Sequence, residues 1–221
     1  MAIPILPGST LSLINLRFHP FFKTSITLFE TQFHTKIAIL QSDKDREFQN
    51  HNLSEFLASK GIVHKTSYAY TPQQNGVAER KNRHLLEVAR SLMLSTSLPS
   101  YLWGDAILTA AHLINRMPSR ILHLQTPFDC LKESYSSTRL ISEVPLRVFG
   151  CTAYVHNFGP NQTKFTPRAQ VCVFAGYPLH QRNYKCFYPM SRKYCVTMDV
   201  TFFENQPYFS VSHLQGENVS A

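Results

Sequence analysis

Two carboxylates, Asp43 and Glu79, are the residues of this sequence best placed to do chemistry. Asp43 follows the short apolar run KIAILQ (36–41), which is typical of a strand covered on both faces. Open α/β sheets place functional groups at that end of a strand. Glu79 opens a segment that turns basic at once, and 35 residues separate the two acids. Converging carboxylates can hold Mg²⁺ ions that clamp the attacking and leaving oxygens of a phosphoryl displacement.

Each of these acids also has an ordinary structural explanation. An acid in the first turn of a helix complements the helix macrodipole. An Asp at the end of a strand often caps a turn. Spacing alone therefore favours the structural roles and leaves the metal site open as a second interpretation.

The segments between the two acids can bring them together. A helix around 51–60 stops at Gly61, and IVHKTS (62–67) reads as a second strand, which predicts a parallel β-α-β unit. Pro72 and Gly76 then break the chain before a helix over about 77–95. The chain thus leaves the sheet at Asp43 and returns on a helix that carries Glu79 in its first turn.

Three further helices are predicted from apolar spacing and capping residues. The first covers 20–34 and places four residues on one face: Phe22, Ile26, Phe29 and Phe33. The second begins near Ser100 and is expected to bury Trp103, Ile107, Ala110 and Ile114. The third starts in TPFDCL (126–131), with a Thr cap and Pro at the first helical position.

The stretch 146–204 has a different character, because alternating or β-branched runs are separated there by Gly, Pro and Asn. This pattern predicts a small antiparallel barrel or sandwich. Seven basic and two acidic residues give this stretch +5 of the net charge of +8. A pI near 9.3 favours an acidic partner such as nucleic acid. No apolar run approaches the roughly 18 to 20 residues of a membrane span, so no membrane partner is expected.

The five cysteines are odd in number and form no C-x-x-C pair. Four of them lie in apolar, strand-like stretches, which favours buried free thiols in a reducing compartment, the nucleus or the cytoplasm. Zinc binding by these thiols with His156 or His180 is the alternative, although no ligand spacing supports it. The opening segment has no basic region before its apolar part, so a secretory signal peptide is not expected.

The amino-acid sequences of several motifs, and their order along the chain, indicate a family. LQSDKDREF followed by TSYAYTPQQNGVAERKNRHLLEVARSLM resembles the integrase of copia-type LTR retrotransposons, in which a strand ending S-D-N-G-x-E-F precedes T-P-Q-Q-N-G-x-x-E-R. Later stretches resemble the same family in the same order, over about residues 20 to 204: LPSYLWGDAILTAAHLINRMPSR, TPFDCL, VFGCTAYVH, PRAQVCVFAGYP and RKYCVTMDVTFFE.

The resemblance implies an RNase H-like core whose D,D-35-E triad binds two metal ions, Mg²⁺ or Mn²⁺, and joins the element's DNA ends to target DNA. Asp43 corresponds to the second Asp and Glu79 to the Glu. The implied organisation is an atypical segment (1–19), a partial core with trailing helices (20–131), a linker (132–145), an SH3-like barrel (146–204) and a loose tail (205–221). The implied partners are DNA and other integrase subunits. The candidate DNA contacts are Tyr70, Gln73, Asn75, Arg80, Lys81 and Arg83.

Two features depart from the family pattern. The first Asp of the triad has no counterpart, since residues 1–42 contain no Asp and Glu30 is their only acid. The first nineteen residues, interrupted by two prolines, are too few for the three antiparallel strands that start such a core, so the strand at 36–41 is expected to have an open edge. The zinc-binding module that precedes such cores is also missing. In addition, Lys44-Asp45-Arg46 replaces the family's Asn-Gly after Asp43.

These departures predict an amino-terminally truncated integrase that is inactive alone. Two alternatives remain: a non-catalytic DNA-binding or assembly module, and a decayed transposon reading frame.

Overall fold

The structure, a computed structural model, describes residues 2–3, 10–13, 19–42, 51–66, 76–135, 144–157, 165, 167–178 and 181–209. The chain divides into two compact units. The first unit comprises Met1–Leu86 and Leu113–Leu140, and the second comprises Glu87–His112 and Ile141–Ala221. This division differs from the predicted domains 20–131 and 146–204, which stay a prediction.

The first unit contains a four-stranded mixed sheet. Its strands lie in chain order: β1 (Ala2–Ile3), β2 (Thr10–Leu13), β3 (Ile39–Ser42) and β4 (Val63–Thr66). β1 pairs antiparallel with β2, whereas β2–β3 and β3–β4 are parallel. The predicted β-α-β unit is confirmed, because helix α2 (His51–Lys60) connects the parallel pair β3 and β4.

Three further helices have all or part of their length in this unit: α1 (His19–Phe33), α5 (Pro127–Ser134) and the first part of α3 (Gly76–Ser95). The core joins α1, α2 and the sheet through six buried residues: Ile26, Ile37, Leu40, Leu53, Leu57 and Ile62. Gly61 ends α2 with a φ of 70°, the left-handed conformation that glycine adopts without steric cost. Thr126 caps α5 by accepting a hydrogen bond from the backbone N–H of Asp129, as its sequence predicts.

The predicted open edge of the strand at 36–41 is wrong. β2 lies beside β3, with Thr10 opposite Ile39 and Leu11 opposite Leu40. The segment TLSL alternates polar and apolar residues, which is the period of a strand. Its parallel pairing provides hydrogen-bond partners for the backbone of β3 on the edge that was expected to stay open.

The second unit is built on a five-stranded antiparallel sheet in the order β8-β7-β6-β5-β9. The strands are β5 (Cys151–His156), β6 (Ala169–Phe174), β7 (Tyr184–Tyr188), β8 (Lys193–Thr197) and β9 (Val200–Pro207). The alternating runs of the sequence therefore form strands, as predicted. One face of the sheet packs into a core centred on the fully buried Phe174, whose ring meets Phe202 edge-on at 5.3 Å.

Helix α4 (Trp103–Ile114), which lies in the second unit up to His112, turns a different face inward from the one predicted. Its buried residues are Asp105, Ala106, Thr109, Ala110 and Ala111. Trp103, Ile107 and Ile114 are only half-buried, so three of the four predicted core positions are wrong. The carboxylate of Asp105 is buried, and two hydrogen bonds offset the cost of its burial. Lys185 Nζ donates to it at 2.6 Å, and the Tyr194 hydroxyl donates to it at 2.7 Å.

The five cysteines are all free thiols, and Cys151, Cys172 and Cys186 are buried in the second unit. Burial raises the pKa of Cys151 to about 12. A hydrogen bond with Cys172, together with burial, raises the pKa of the Cys186 thiol. The thiols of Cys151 and Cys186 are therefore protonated and unreactive at neutral pH. Among the described helices, none is long and apolar enough to cross a membrane.

Candidate catalytic and nucleic-acid site

Glu79 lies in the first turn of α3 and is exposed. The helix packs inward through Leu85 and Ala89, which are buried. The three cations that follow Glu79 in the sequence are exposed as well: Arg80, Lys81 and Arg83. The start of α3 thus presents one carboxylate and three cations to solvent.

These charged groups are not neutralised by one another. Within the described part of the chain, none of the four forms an ion pair, although Glu79 and Arg83 are one helical turn apart. The side chain of Arg80 folds back towards the helix start, where its Nη1 lies 3.3 Å from the position that a Cβ on Gly76 would take. A guanidinium near the free N–H groups of a helix start makes that place attractive to an anion.

Several predicted site residues lie outside the residues that the structure describes. These are Asp43 and the candidate contacts of the loop before α3: Tyr70, Gln73 and Asn75. The predicted approach of Asp43 to Glu79 therefore stays a prediction. Of the predicted DNA contacts, the structure places Arg80, Lys81 and Arg83 together with Glu79 in the first two turns of one helix.

The strand that leads to Asp43 carries a contact that the sequence does not reveal. Ser42, the last residue of β3, is buried, and its Oγ lies 2.8 Å from Nε2 of His64 on β4. Burial lowers the pKa of His64, so its imidazole is neutral at neutral pH. The two strands remain in register to their ends, with Ser42 opposite Thr66. His64 has no partner at a recognisable sequence spacing, and parallel pairing of β3 with β4 was the only available signal.

A metal ion would need more ligands than the described residues supply. Among them, no group of three His, Cys, Asp or Glu side chains is arranged to hold a metal ion, and this includes the described cysteines of the zinc alternative. His180 lies outside the described residues. Glu79 offers the oxygen chemistry that Mg²⁺ prefers, but it is a single carboxylate.

Comparisons with known proteins agree on one family. Residues 151–216 match the retroviral polymerase SH3-like domain, and this range contains all five strands of the antiparallel sheet. The retrovirus-related Pol polyprotein from transposon TNT 1-94 of Nicotiana tabacum is 35% identical over 185 residues, 84% of this chain. The Pol polyprotein from transposon RE1 of Arabidopsis thaliana is 36% identical over 187 residues, 83% of this chain. The predicted fold class, an α/β part followed by a small SH3-like β domain, is confirmed.

A solved structure, the catalytic core domain of BIV integrase, is similar to this chain with 21% sequence identity and a TM-score of 0.42. The similarity covers 57% of this chain and 79% of the integrase core domain. At this overlap it supports no correspondence between individual residues. The chain spans only 14% of the TNT 1-94 polyprotein and 12% of the RE1 polyprotein. Its relationship to retrotransposon Pol sequences, which the motifs predict, is confirmed over most of its own length: the chain belongs to the family of retrovirus-related Pol polyproteins of transposons and is similar to one segment of them.

Proposed function

We propose that this chain is an integrase-type segment of a retrotransposon Pol polyprotein and that it binds DNA through the start of α3. The observation that carries the proposal is the exposed set Arg80, Lys81 and Arg83, which forms no ion pair in the described part of the chain. Exposed cations of this kind contact phosphates and release counterions on binding. The net charge of +8 adds a long-range attraction to a polyanion.

Glu79 and Asp43 would hold Mg²⁺ or Mn²⁺ at this site. Such an ion, when bound, stabilises charge on the attacking and leaving oxygens of a phosphoryl transfer. Glu79 itself contributes an exposed carboxylate at a helix start, and Arg80 and Arg83 would orient the DNA phosphates beside it. The neutral His64 would hold Ser42 and the end of the strand that precedes Asp43.

This chain by itself would not catalyse strand transfer. Residues 1–42 contain no Asp to complete a triad. Their only acid, Glu30, accepts a hydrogen bond from Lys60 Nζ at 2.7 Å and so links α1 to α2. Because catalytic groups that act as a unit are strongly non-additive, two carboxylates would retain little of the activity of three.

DNA binding is tested by replacing Arg80, Lys81 and Arg83 together with Gln and measuring fluorescence anisotropy of a labelled duplex. Wild-type affinity should fall steeply between about 50 and 200 mM salt, and the variant's log–log salt slope should be shallower by about 2 to 3. The matched control replaces Lys23, Lys36 and Lys132, three lysines of the same unit, with Gln. Equal weakening by the control set would show general electrostatic attraction rather than a site on α3.

Catalysis is tested by incubating the full chain and a processed DNA end with Mg²⁺ or Mn²⁺ and analysing joined products on a gel. We expect no joining above background. Joining that disappears in Glu79→Gln would contradict the proposed inactivity while supporting the assignment of Glu79.

A non-catalytic DNA-binding or assembly module is the second candidate, because the exposed cations of α3 need no metal to contact phosphates. Binding that is unchanged by chelators and by Glu79→Gln would favour it. For either function we propose a reducing compartment, the nucleus or the cytoplasm, and this is supported by the five free thiols.

A further inference from the structure

The segment 116–125, here the docking loop, exposes three large apolar side chains within eight residues, 117–124. Ile121 is 88% exposed, Leu124 73% and Met117 59%. Single exposed apolar residues are common on protein surfaces, but several on one short segment are typical of an interaction site. None of these residues belongs to the α3 site described above.

The docking loop is closed by its own backbone and anchored at its base. Ser119 N–H donates to the carbonyl of Gln125 at 3.1 Å, and Leu124 N–H donates to the carbonyl of Ser119 at 2.9 Å. Gln125 Nε2 donates to Glu133 Oε1 on α5 at 3.0 Å. At the base, Phe128 N–H donates to the carbonyl of Asn115 at 2.9 Å. The apolar side chains are thus carried by a defined backbone, which reduces the entropy lost when a partner binds.

The tip of the loop adopts a conformation that few side chains tolerate. His123 and Leu124 are consecutive residues with φ of 53° and 68°, in the left-handed region. A bulky residue such as Leu is rare there, and such outliers cluster where structure serves a binding role. Burial of Leu124 does not compensate for this conformation, because its side chain faces solvent.

The charge of the docking loop indicates which kind of surface would cover it. Residues 106–128 contain no Asp or Glu, and Arg120 is exposed beside Ile121. In the described part of the chain Arg120 forms no ion pair. The nearest acids in sequence are already engaged, since Asp129 is bonded to Thr126 and Glu133 to Gln125.

We propose that the docking loop binds a partner protein whose apolar groove receives Ile121 and Leu124 and whose carboxylate, at the groove edge, pairs with Arg120. Arginine is one of the residues enriched in binding hot spots, and its guanidinium can donate two parallel hydrogen bonds to a carboxylate. Aliphatic side chains without aromatic rings give nucleic-acid bases little to stack on. A second copy of this chain, at a net charge of +8, would repel the first. The proposal does not depend on DNA binding or catalysis.

The test places the photo-crosslinker p-benzoylphenylalanine at position 121 of the full chain in cells and sequences the crosslinked peptides by mass spectrometry. The expected adduct is an apolar peptide of another protein that contains Asp or Glu beside the crosslinked position. With that partner purified, Arg120→Glu and Ile121→Glu should each weaken binding about tenfold or more, while Arg120→Lys should weaken it less. The matched control carries the crosslinker at Met190, which is 96% exposed and lies in the second unit.

Four results would overturn the proposal: no adduct, an adduct only with a second copy of this chain, the same peptide from position 190, or partner binding indifferent to Arg120→Glu. Two further probes separate other ligand classes. The Ile121→Glu variant should bind a DNA duplex, and vesicles of phosphatidylserine and phosphatidylcholine, as the wild type does. A tenfold loss of either interaction would assign the loop to that ligand instead.

Discussion

At the scale of single residues, the buried carboxylate of Asp105 stands out in the described chain, because a buried charge needs a cation and hydrogen-bond donors beside it. Its side chain is 7% exposed and accepts from Lys185 Nζ and from the Tyr194 hydroxyl. The same ammonium lies 4.1 Å from the centre of the Tyr194 ring. Burial, with the hydrogen bond to Asp105, raises the pKa of Tyr194, so its hydroxyl remains a donor through the physiological range. The ammonium and the hydroxyl thus supply the charge and the hydrogen bonds that the buried carboxylate needs.

We therefore expect Lys185→Met to destabilise the second unit by about 3 kcal/mol, because it leaves a buried carboxylate without its cation. Unfolding in urea can be followed by the fluorescence of Trp103, the only tryptophan of the chain, which belongs to this unit. Lys193→Met, at an exposed position on β8, is the control and should change stability by no more than about 0.5 kcal/mol. Equal effects of the two substitutions would mean that Lys185 contributes no more than a surface charge.

At the scale of elements, α4 approaches the sheet closely through small residues. Gly176, just after β6, has a φ of 106°, and a Cβ there would overlap Oγ1 of Thr109 on α4. Ala106 and Ala110, the small buried residues of the helix, allow this approach. The contact explains why α4 turns its alanines inward and leaves the larger Trp103 and Ile107 half-buried.

Gly176→Ala should destabilise the second unit by about 2 to 4 kcal/mol, the sum of overpacking and an unfavourable φ. Adding Thr109→Ala should recover the steric part and leave the backbone part. Gly104→Ala is the matched control, since a Cβ on this α4 glycine meets nothing within 4 Å. It should be neutral or stabilise by up to about 1 kcal/mol. Trp103-detected urea unfolding measures all four proteins, and a harmless Gly176→Ala would contradict the close approach.

At the scale of the whole molecule, the five-stranded sheet belongs to a unit that also includes residues 87–112. The helical residues hold the sheet through several contacts. Asp105 binds Lys185 and Tyr194, and the Tyr101 ring lies 5.7 Å from that of Phe187. A Cβ on Gly150, before β5, would overlap Thr96. The sheet therefore depends on a segment that precedes it by some forty residues.

A fragment of residues 87–221 should accordingly unfold cooperatively, whereas residues 146–221 should not, because they expose the surface that Tyr101, Asp105 and Thr109 cover. Thermal unfolding followed by circular dichroism distinguishes the two fragments. A cooperative transition in the shorter fragment, at the temperature seen for the longer one, would show that the helical segment is dispensable.

The sequence by itself determined the local elements and the chemistry of the site. Apolar periodicity and end signals located α2, α3 and α5, and alternating runs located the strand-rich stretch of the second unit, because these depend on neighbouring residues. The motif around Glu79 identified the family and an exposed cationic helix start, while its pairing with Asp43 stays a prediction. Only the tertiary structure decided which face α4 buries, that β2 covers the edge of β3, and that Ser42 meets His64. The burial of Asp105 depends on Lys185 and Tyr194, which lie 80 and 89 positions away in the sequence and supply its cation and its hydroxyl. Local sequence patterns carry no information about contacts at that separation.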